Sequence, residues 1–260
     1  MSRAAVLEVR DLVRHFAGVR AVDGVSLQVA AGHCVALIGP NGAGKSTTFA
    51  CIAGQQQPDA GEVIWRGQSL RGLSPLERLS LGVGRSFQVA QVFEALTVLG
   101  NVQLALQARE QALSTWRALA LWRRDRAMEL LDQAGLSAWA RHDAAALPYG
   151  ARKRLELALV LAGRPSLLLL DEPAAGLAES ERESLMAWIR SLAQSGLAVL
   201  YTEHNMDAVA GVADRVLVLI EGRLAAQGSF AEVAANPDVQ ARYLGHGLAR
   251  IHAGGGAPRA

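Results

Sequence analysis

The stretch from residue 39 to residue 47 reads G-P-N-G-A-G-K-S-T and contains the residue types that bind phosphate. Its spacing, G-x-x-x-x-G-K-S, is that of a loop whose backbone N–H groups surround an anion. Glycines allow the left-handed backbone that such a loop needs, and the helix that follows directs its positive dipole end at the anion. The residues predicted to bind the nucleotide here are Gly39, Pro40, Asn41, Gly42, Ala43, Gly44, Lys45, Ser46 and Thr47.

Two side chains of this loop have separate tasks. Lys45 is one of two lysines in a chain that otherwise uses arginine, and its ammonium can reach the β- and γ-phosphates. The hydroxyl of Ser46 can hold Mg²⁺. The apolar runs 34–38 and 48–53 flank the loop, which predicts strand, loop and helix in that order. The sequence therefore predicts binding of a nucleoside triphosphate with Mg²⁺.

A pair of acids follows four consecutive leucines, 167–170, which predict a strand buried on both faces. Ligands of doubly wound sheets bind at the carboxyl ends of such strands. Asp171 is expected to reach Mg²⁺, and Glu172 to polarise the water that attacks the γ-phosphate. His204 follows the next predicted strand, 197–202, where it either hydrogen-bonds the γ-phosphate or serves as a capping or packing residue.

The elements that must position these groups alternate between strands and helices. Residues 98–146 are rich in leucine and alanine at helical spacing, and Gly135 is placed as a helix C-cap. Phe16, between the first two predicted strands, is either core or a face for a purine ring. Other predicted elements are strands 6–10, 25–29, 62–66 and 216–220 and a helix over 180–193.

Composition limits the class of protein. The 260 residues are 51% hydrophobic and 19% charged, which is typical of a globular chain, and the net charge of +2 argues against nucleic acid as the main partner. No apolar run approaches the roughly 20 residues that span a bilayer, so work at a membrane would need another subunit. Cys34 and Cys51 fall in a predicted strand and helix and are expected to be core residues in a reducing compartment.

In their order along the chain these residues resemble the ATP-binding subunits of ABC transporters, over about residues 6–245. The segment Leu147–Glu156 stands where that family carries its L-S-G-G-Q signature before a helix. The resemblance implies that Phe16 stacks on adenine and that Gln88 contacts Mg²⁺ and water. By the same resemblance Glu172 is the catalytic glutamate and His204 the switch histidine.

The resemblance also implies a dimer in which two such subunits enclose two ATP molecules head to tail. Tyr149 and Gly150, in the signature segment, would then bind the ATP held by a partner. Two departures from the family pattern concern this shared site. Pro148 stands where the signature has serine, and Ala178 where many relatives carry Asp or Asn. The sequence therefore favours a dimer with a different ATP-binding subunit, although backbone N–H groups alone could replace the lost serine.

Four shorter segments resemble the subgroup that energises branched-chain amino acid uptake in bacteria, to which amide and urea importers also belong. They are Phe93–Val98, Ala174–Leu177, Glu203–Met206 and Asn236–Gly245. The implied partners are transmembrane permease subunits, a second ATP-binding subunit and, indirectly, a periplasmic solute-binding protein. The implied location is peripheral, on the cytoplasmic face of the inner membrane.

Taken together, the patterns and the resemblance predict an α/β fold: a P-loop NTPase core with an antiparallel β subdomain and an inserted helical subdomain at about 89–160. The cassette would cover 1–245 and a flexible tail 246–260. Two alternatives stay open at this point: an ATPase for lipid or lipopolysaccharide export, and a soluble ABC ATPase that acts on nucleic acid or ribosomes. Glu172 and His204 together argue against a third, a regulatory subunit that only binds ATP.

Overall fold

A computed structural model describes residues 5–85, 92–110 and 123–244 of the chain. The strands are β1 (Ala5–Phe16), β2 (Val19–Ala30), β3 (Cys34–Ile38), β4 (Ala60–Trp65), β5 (Gln68–Ser69), β6 (Val83–Arg85), β7 (Leu167–Asp171), β8 (Ala198–Thr202), β9 (Arg215–Ile220) and β10 (Arg223–Gly228). The α-helices are α1 (Lys45–Ile52), α2 (Pro75–Ser80), α3 (Val98–Glu110), α4 (Arg124–Gln133), α5 (Tyr149–Ala162), α6 (Glu179–Gln194), α7 (Met206–Val212), α8 (Phe230–Ala234) and α9 (Pro237–Val239).

The central sheet has six strands in the order β10-β9-β3-β8-β7-β6. All neighbours are parallel except β10, which pairs antiparallel with β9. Every residue of β3, β7 and β8 is buried, as their continuous apolar runs predict. The strands are in register at their carboxyl ends, where Thr202 lies opposite both Leu37 and Asp171. The phosphate loop after β3 and the acids at the end of β7 therefore share one edge of the sheet.

A second, antiparallel sheet has the order β2-β1-β4-β5. Its buried residues alternate along the strands, as in Val25, Leu27 and Val29, so one face of the sheet is apolar. That face shares a hydrophobic core with α1 and with one face of the central sheet, to which β3 contributes Val35 and Leu37. The helix that follows the phosphate loop is thus enclosed between the two sheets.

The other face of the central sheet packs against helices. Its core continues from β3 into α3, α4 and α5, with Val102, Leu130 and Leu155 among the buried side chains. Helix α4 ends where predicted, because Gly135 has a left-handed backbone and the N–H of Leu136 returns to the carbonyl of Leu131 at 2.7 Å. Since this core is continuous with that of the sheet, the division into a helical lobe at 89–160 stays a prediction, as does the tail at 246–260, which lies outside the described residues.

Both cysteines are buried in the elements predicted for them, Cys34 in β3 and Cys51 in α1. Burial raises the pKa of Cys34 to about 12 and that of Cys51 to about 11, so these thiols are inert core groups. Within the described ranges, no helix has the length and apolar character needed to cross a membrane.

Candidate functional site: a phosphate loop and the acids beside it

The phosphate loop occupies the turn between β3 and α1, and backbone atoms of β9 and β2 lie very close to it. Gly39 has a φ of 151°, and a Cβ atom there would lie 2.0 Å from the carbonyl oxygen of Leu219 in β9. Gly44 has a φ of 99°, and its Cβ would lie 2.1 Å from the carbonyl oxygen of Ala21 in β2. No side chain fits at either position. The glycines are therefore required by close packing as well as by backbone conformation.

The ammonium group of Lys45 lies within the loop. Its Nζ donates hydrogen bonds to the carbonyl oxygens of Gly39 at 2.8 Å and Pro40 at 3.0 Å, and the residue is 7% exposed. Burial lowers the pKa of Lys45, while the nearby carboxylates of Glu172 and Asp171 act in the opposite direction. A lysine ammonium has three protons to donate, so one remains for an anion held in the loop.

The two acids at the end of β7 are fixed by a threonine of the neighbouring strand. The hydroxyl of Thr202 donates to Oδ1 of Asp171 at 2.7 Å and accepts a hydrogen bond from the backbone N–H of Glu172 at 2.9 Å. Arg85, the last residue of β6, has Nη2 3.5 Å from Oδ2 of Asp171. Asp171 is 5% exposed, so its carboxylate is held in place within the sheet edge.

Glu172 and His204 meet at this edge. Oε1 of Glu172 lies 2.8 Å from Nε2 of His204, and both side chains are partly exposed. Glu172 also has a left-handed backbone, with a φ of 49°, which is strained for a residue with a side chain. This backbone conformation turns the chain sharply after the buried strand. Asp171 therefore stays buried while the carboxylate of Glu172 is partly exposed to solvent.

The residues predicted to reach a partner's nucleotide lie at the start of α5, with Pro148 preceding the helix. The hydroxyl of Tyr149 donates to the carbonyl of Ala175 at 3.2 Å, which ties the signature segment to the loop after Glu172. Gly150 is buried against Glu181 of α6, and a Cβ there would lie 2.4 Å from Oε1 of Glu181. Tyr149 is 53% exposed, so this corner of the molecule presents an aromatic surface.

Residues 92–97, which precede α3, carry an exposed aromatic ring on a hydrogen-bonded backbone. Asn101 of α3 is buried and holds Phe93 by both backbone groups, accepting from its N–H at 2.8 Å and donating to its carbonyl at 3.0 Å. Glu94 pairs with Arg152 of the signature helix at 2.9 Å. The Phe93 side chain itself is 59% exposed. The loop thus connects an outward-facing ring to α5.

Phe16 ends β1 and is 38% exposed, with the guanidinium of Arg14 4.8 Å from its ring centre. It is a surface ring and not part of the core, which leaves the adenine-stacking role as the surviving prediction. Gln88 lies outside the described residues, so its predicted contacts remain a prediction. Thr202 was not predicted to be a site residue, because its only signal in the sequence is a hydroxyl at the end of a buried strand.

The donor set fits magnesium. The hydroxyl of Ser46, which is exposed in the first turn of α1, and the carboxylate of Asp171 are hard oxygen ligands. Mg²⁺ in nucleotide sites is held by one or two such groups together with phosphates and water. Lys45 lies close enough to both acids for their charges to affect its pKa, so the phosphate loop and the acids form one site. The fold and this site define a P-loop ATPase.

Comparison with known proteins is consistent with that class. A family model described as ABC transporter matches residues 22–175. The chain is 38% identical over 257 residues to the high-affinity branched-chain amino acid transport ATP-binding protein BraF of Pseudomonas aeruginosa. The alignment covers 94% of this chain and 99% of BraF. The chain is equally identical, over 252 residues, to the corresponding protein LivG of Escherichia coli, covering 92% of this chain and 98% of that one.

Solved structures show the same fold. A nucleotide-free ATP-binding cassette from an ABC transporter has a TM-score of 0.82 at 27% identity, covering 94% of this chain and all of that one. A dimeric cassette in a post-hydrolysis state, bound to ADP and Pi, has a TM-score of 0.74 at 26% identity, with 86% and 98% covered. The chain belongs to the ABC transporter family and is an ATP-binding and ATP-hydrolysing subunit. The family resemblance inferred from the sequence is confirmed.

Proposed function

We propose that this chain is the ATP-hydrolysing subunit of an importer for branched-chain amino acids or related small polar solutes. The observation that carries the proposal is its 38% identity, over nearly the whole length, to BraF and LivG, which serve branched-chain amino acid transport. The chain acts peripherally on the cytoplasmic face of the inner membrane. It works there with permease subunits and a second ATP-binding subunit, and indirectly with a periplasmic solute-binding protein.

The phosphate loop binds the triphosphate through its backbone N–H groups and the remaining proton of Lys45. Ser46 and Asp171 would hold Mg²⁺, and Gln88 would complete this set; the ion would neutralise charge on the phosphate oxygens. Phe16 offers its free face to the adenine ring, which accounts for an aromatic side chain left exposed at the end of β1.

Hydrolysis depends on Glu172, whose carboxylate takes a proton from the attacking water. The water oxygen forms a bond to the γ-phosphorus, the bond to the β-phosphate oxygen breaks, and ADP and inorganic phosphate result. Nε2 of His204 lies 2.8 Å from that carboxylate. His204 donates a hydrogen bond that orients the Glu172 carboxylate and the γ-phosphate. The contact supports this pairing because it joins the acid that follows β7 to the histidine that follows the neighbouring strand β8, at the edge where the phosphate loop lies.

Coupling to the membrane runs through the segment Val89–Thr97, of which residues 92–97 are described. Phe93 is the proposed docking residue for a short cytoplasmic helix of the permease, since its ring is exposed while its backbone is fixed by Asn101. The pair Glu94–Arg152 connects that docking position to the signature helix, where Tyr149 and Gly150 would meet the partner's ATP. Docking and nucleotide binding thus act on one connected segment.

Transport by a reconstituted complex tests the proposal. The full chain is co-expressed with permease subunits of a branched-chain amino acid importer and reconstituted in proteoliposomes with the solute-binding protein of that importer. We expect ATP-dependent uptake of labelled leucine, or of an amide or urea, and no uptake with Glu172→Gln. Extraction of lipid or lipopolysaccharide in place of solute uptake would assign the chain to an exporter and overturn the proposal.

A further inference from the structure

Glu203 is a buried acid between the two loops that carry Glu172 and His204. It is 4% exposed, although it directly precedes the exposed His204. Its Oε1 accepts a hydrogen bond from the backbone N–H of Ala174 at 3.3 Å. Its Oε2 accepts from the N–H of His204 at 2.9 Å and from that of Asn205 at 3.4 Å. One carboxylate therefore joins the chain just after Glu172 to the chain that carries His204.

Burying a carboxylate is unfavourable unless hydrogen bonds to the charge compensate for the loss of water. Here the donors are backbone N–H groups, and such charge-assisted bonds are about twice as strong as neutral ones. Because these donors belong to the main chain, the carboxylate fixes backbone positions and not merely side-chain rotamers. Its bonds set how far the loop after β7 lies from the loop after β8.

The same loop is anchored on its other side. The side chain of Asn205 accepts a hydrogen bond from the N–H of Ala208 at 2.8 Å and so caps α7. His204 thus sits between a buried anchor and a helix cap. Its ring is otherwise exposed, and its contact with Glu172 depends on where these two anchors place its backbone.

We infer that Glu203 is a positioning residue for ATP hydrolysis: by binding the backbone of both loops, it keeps His204 within hydrogen-bonding distance of Glu172. The inference rests on the roles proposed above for these two residues. Glu203 is buried and both of its carboxylate oxygens accept hydrogen bonds from backbone N–H groups, so we assign it no direct contact with the substrate or the attacking water. It acts only through the placement of His204.

The isosteric variant Glu203→Gln tests this inference in the full chain. The amide replaces one carboxylate oxygen with an NH₂ group that faces backbone N–H donors, so at least one bond is lost and a repulsive contact takes its place. We expect kcat for ATP hydrolysis to fall by about tenfold or more, while KM for ATP stays within about twofold, because the phosphate loop is untouched. A loss of fold would reduce both binding and turnover.

A double-mutant cycle separates positioning from an independent effect. If Glu203 acts through His204, then the variant that combines Glu203→Gln with His204→Ala hydrolyses ATP at the rate of His204→Ala alone. The matched control is Asp207→Asn, an acid-to-amide change at an exposed position in the first turn of α7, directly after the same loop, which should leave kcat within about twofold of wild type. Additive losses in the double variant, or a wild-type kcat for Glu203→Gln, would overturn the inference.

Two outcomes distinguish this inference from the proposed roles on which it rests. If His204→Ala hydrolyses ATP like the wild type, the role of His204 itself is wrong. If His204→Ala is slow and Glu203→Gln is not, only the positioning role of Glu203 is wrong. Should Glu203→Gln fail to fold, Glu203→Asp serves instead. It keeps the charge but shortens the reach by one methylene, and is expected to lower kcat at an unchanged KM.

Discussion

Arg78 is the largest fully buried side chain of the described residues, and its loss should destabilise the protein strongly. It lies on α2, is 1% exposed, and donates to four backbone carbonyls, those of Cys51 at 2.8 Å, Ile52 at 2.9 Å, Leu70 at 2.8 Å and Leu73 at 3.2 Å. Two of these carbonyls end α1, the helix that starts at the phosphate loop and has no basic residue of its own in its last turn. The guanidinium therefore acts as the cationic cap of α1.

The variant Arg78→Met keeps the length and apolar stem of the side chain but removes every donor. Hydrogen bonds to a charged group contribute about 1.5–3 kcal/mol each, and four of them would give a gross loss of about 6–12 kcal/mol. Much of that loss is offset, because the desolvation cost of burying a guanidinium, several kcal/mol, disappears with the charge. We expect the free energy of unfolding to fall by about 3 kcal/mol, which lowers Tm by about 6–12 °C in a chain of this size.

Thermal unfolding followed by circular dichroism measures the effect, with Arg71→Met as control because Arg71 is exposed on the preceding turn. Arg78→Lys, which keeps the charge but lacks the planar fork, should fall between wild type and Arg78→Met. A Tm for Arg78→Met within about 2 °C of the Arg71→Met control would refute the reasoning. It would mean that the free energy of the four hydrogen bonds only balances the desolvation cost of burying the cation.

Three further predictions concern nucleotide and partners. Lys45→Ala should abolish binding of a fluorescent ATP analogue, whereas Glu172→Gln should bind it and lose about 10²–10⁴-fold in phosphate release; wild-type-like release by Glu172→Gln would exclude it as the base. Phe93→Asp should uncouple solute uptake while the isolated subunit still binds ATP, and normal assembly with normal uptake would place permease docking elsewhere. In the Glu172→Gln background, Pro148→Ser should strengthen the ATP-dependent homodimer about tenfold or more, as read by light scattering; a tight homodimer that Pro148→Ser leaves unchanged would contradict the preference for a different partner.

Strands and helices with strong apolar patterns were predictable from sequence, because burial dictates the pattern. The predicted helix 180–193 is observed as Glu179–Gln194, and the predicted strand 216–220 as Arg215–Ile220. Bounds were less predictable where polar residues alternate with apolar ones. The segment 6–10 is only part of β1, which continues to Phe16 through irregular pairing with β2. Its polar outer face gives no signal for where such a strand ends.

Short elements escaped prediction for a related reason. Strand β10 has no fully buried residue, so its sequence lacks an apolar run. Helix α2 has six residues, too few for a periodic stripe. It did carry one readable signal: Ser74 accepts from the N–H of Glu77, and Glu77 accepts from that of Ser74, which forms a capping box. That pattern would have located the helix.

The phosphate loop, Asp171, Glu172 and His204 could be found from sequence because each follows a strand whose carboxyl end must lie at the ligand-binding edge. Contacts between residues distant in sequence could not. Nothing local to Arg78 indicates that it caps α1, and Glu203 was noted only as part of a segment shared with a subgroup. Such groups are recognised only when the structure shows both their burial and their hydrogen-bond partners, since a buried charge must have partners.

The contact of Gly39 with Leu219 also bears on how the protein is made. The phosphate loop is synthesised well before the strands on both sides of β3, which are β8 and β9. The N–H of Gly222 donates a hydrogen bond to the carbonyl of Ala43 in the loop, so the loop lacks this neighbour until residue 222 has left the exit tunnel. We expect the nascent chain to be unable to bind ATP until then, and to depend on chaperones for its exposed apolar strands throughout most of its synthesis.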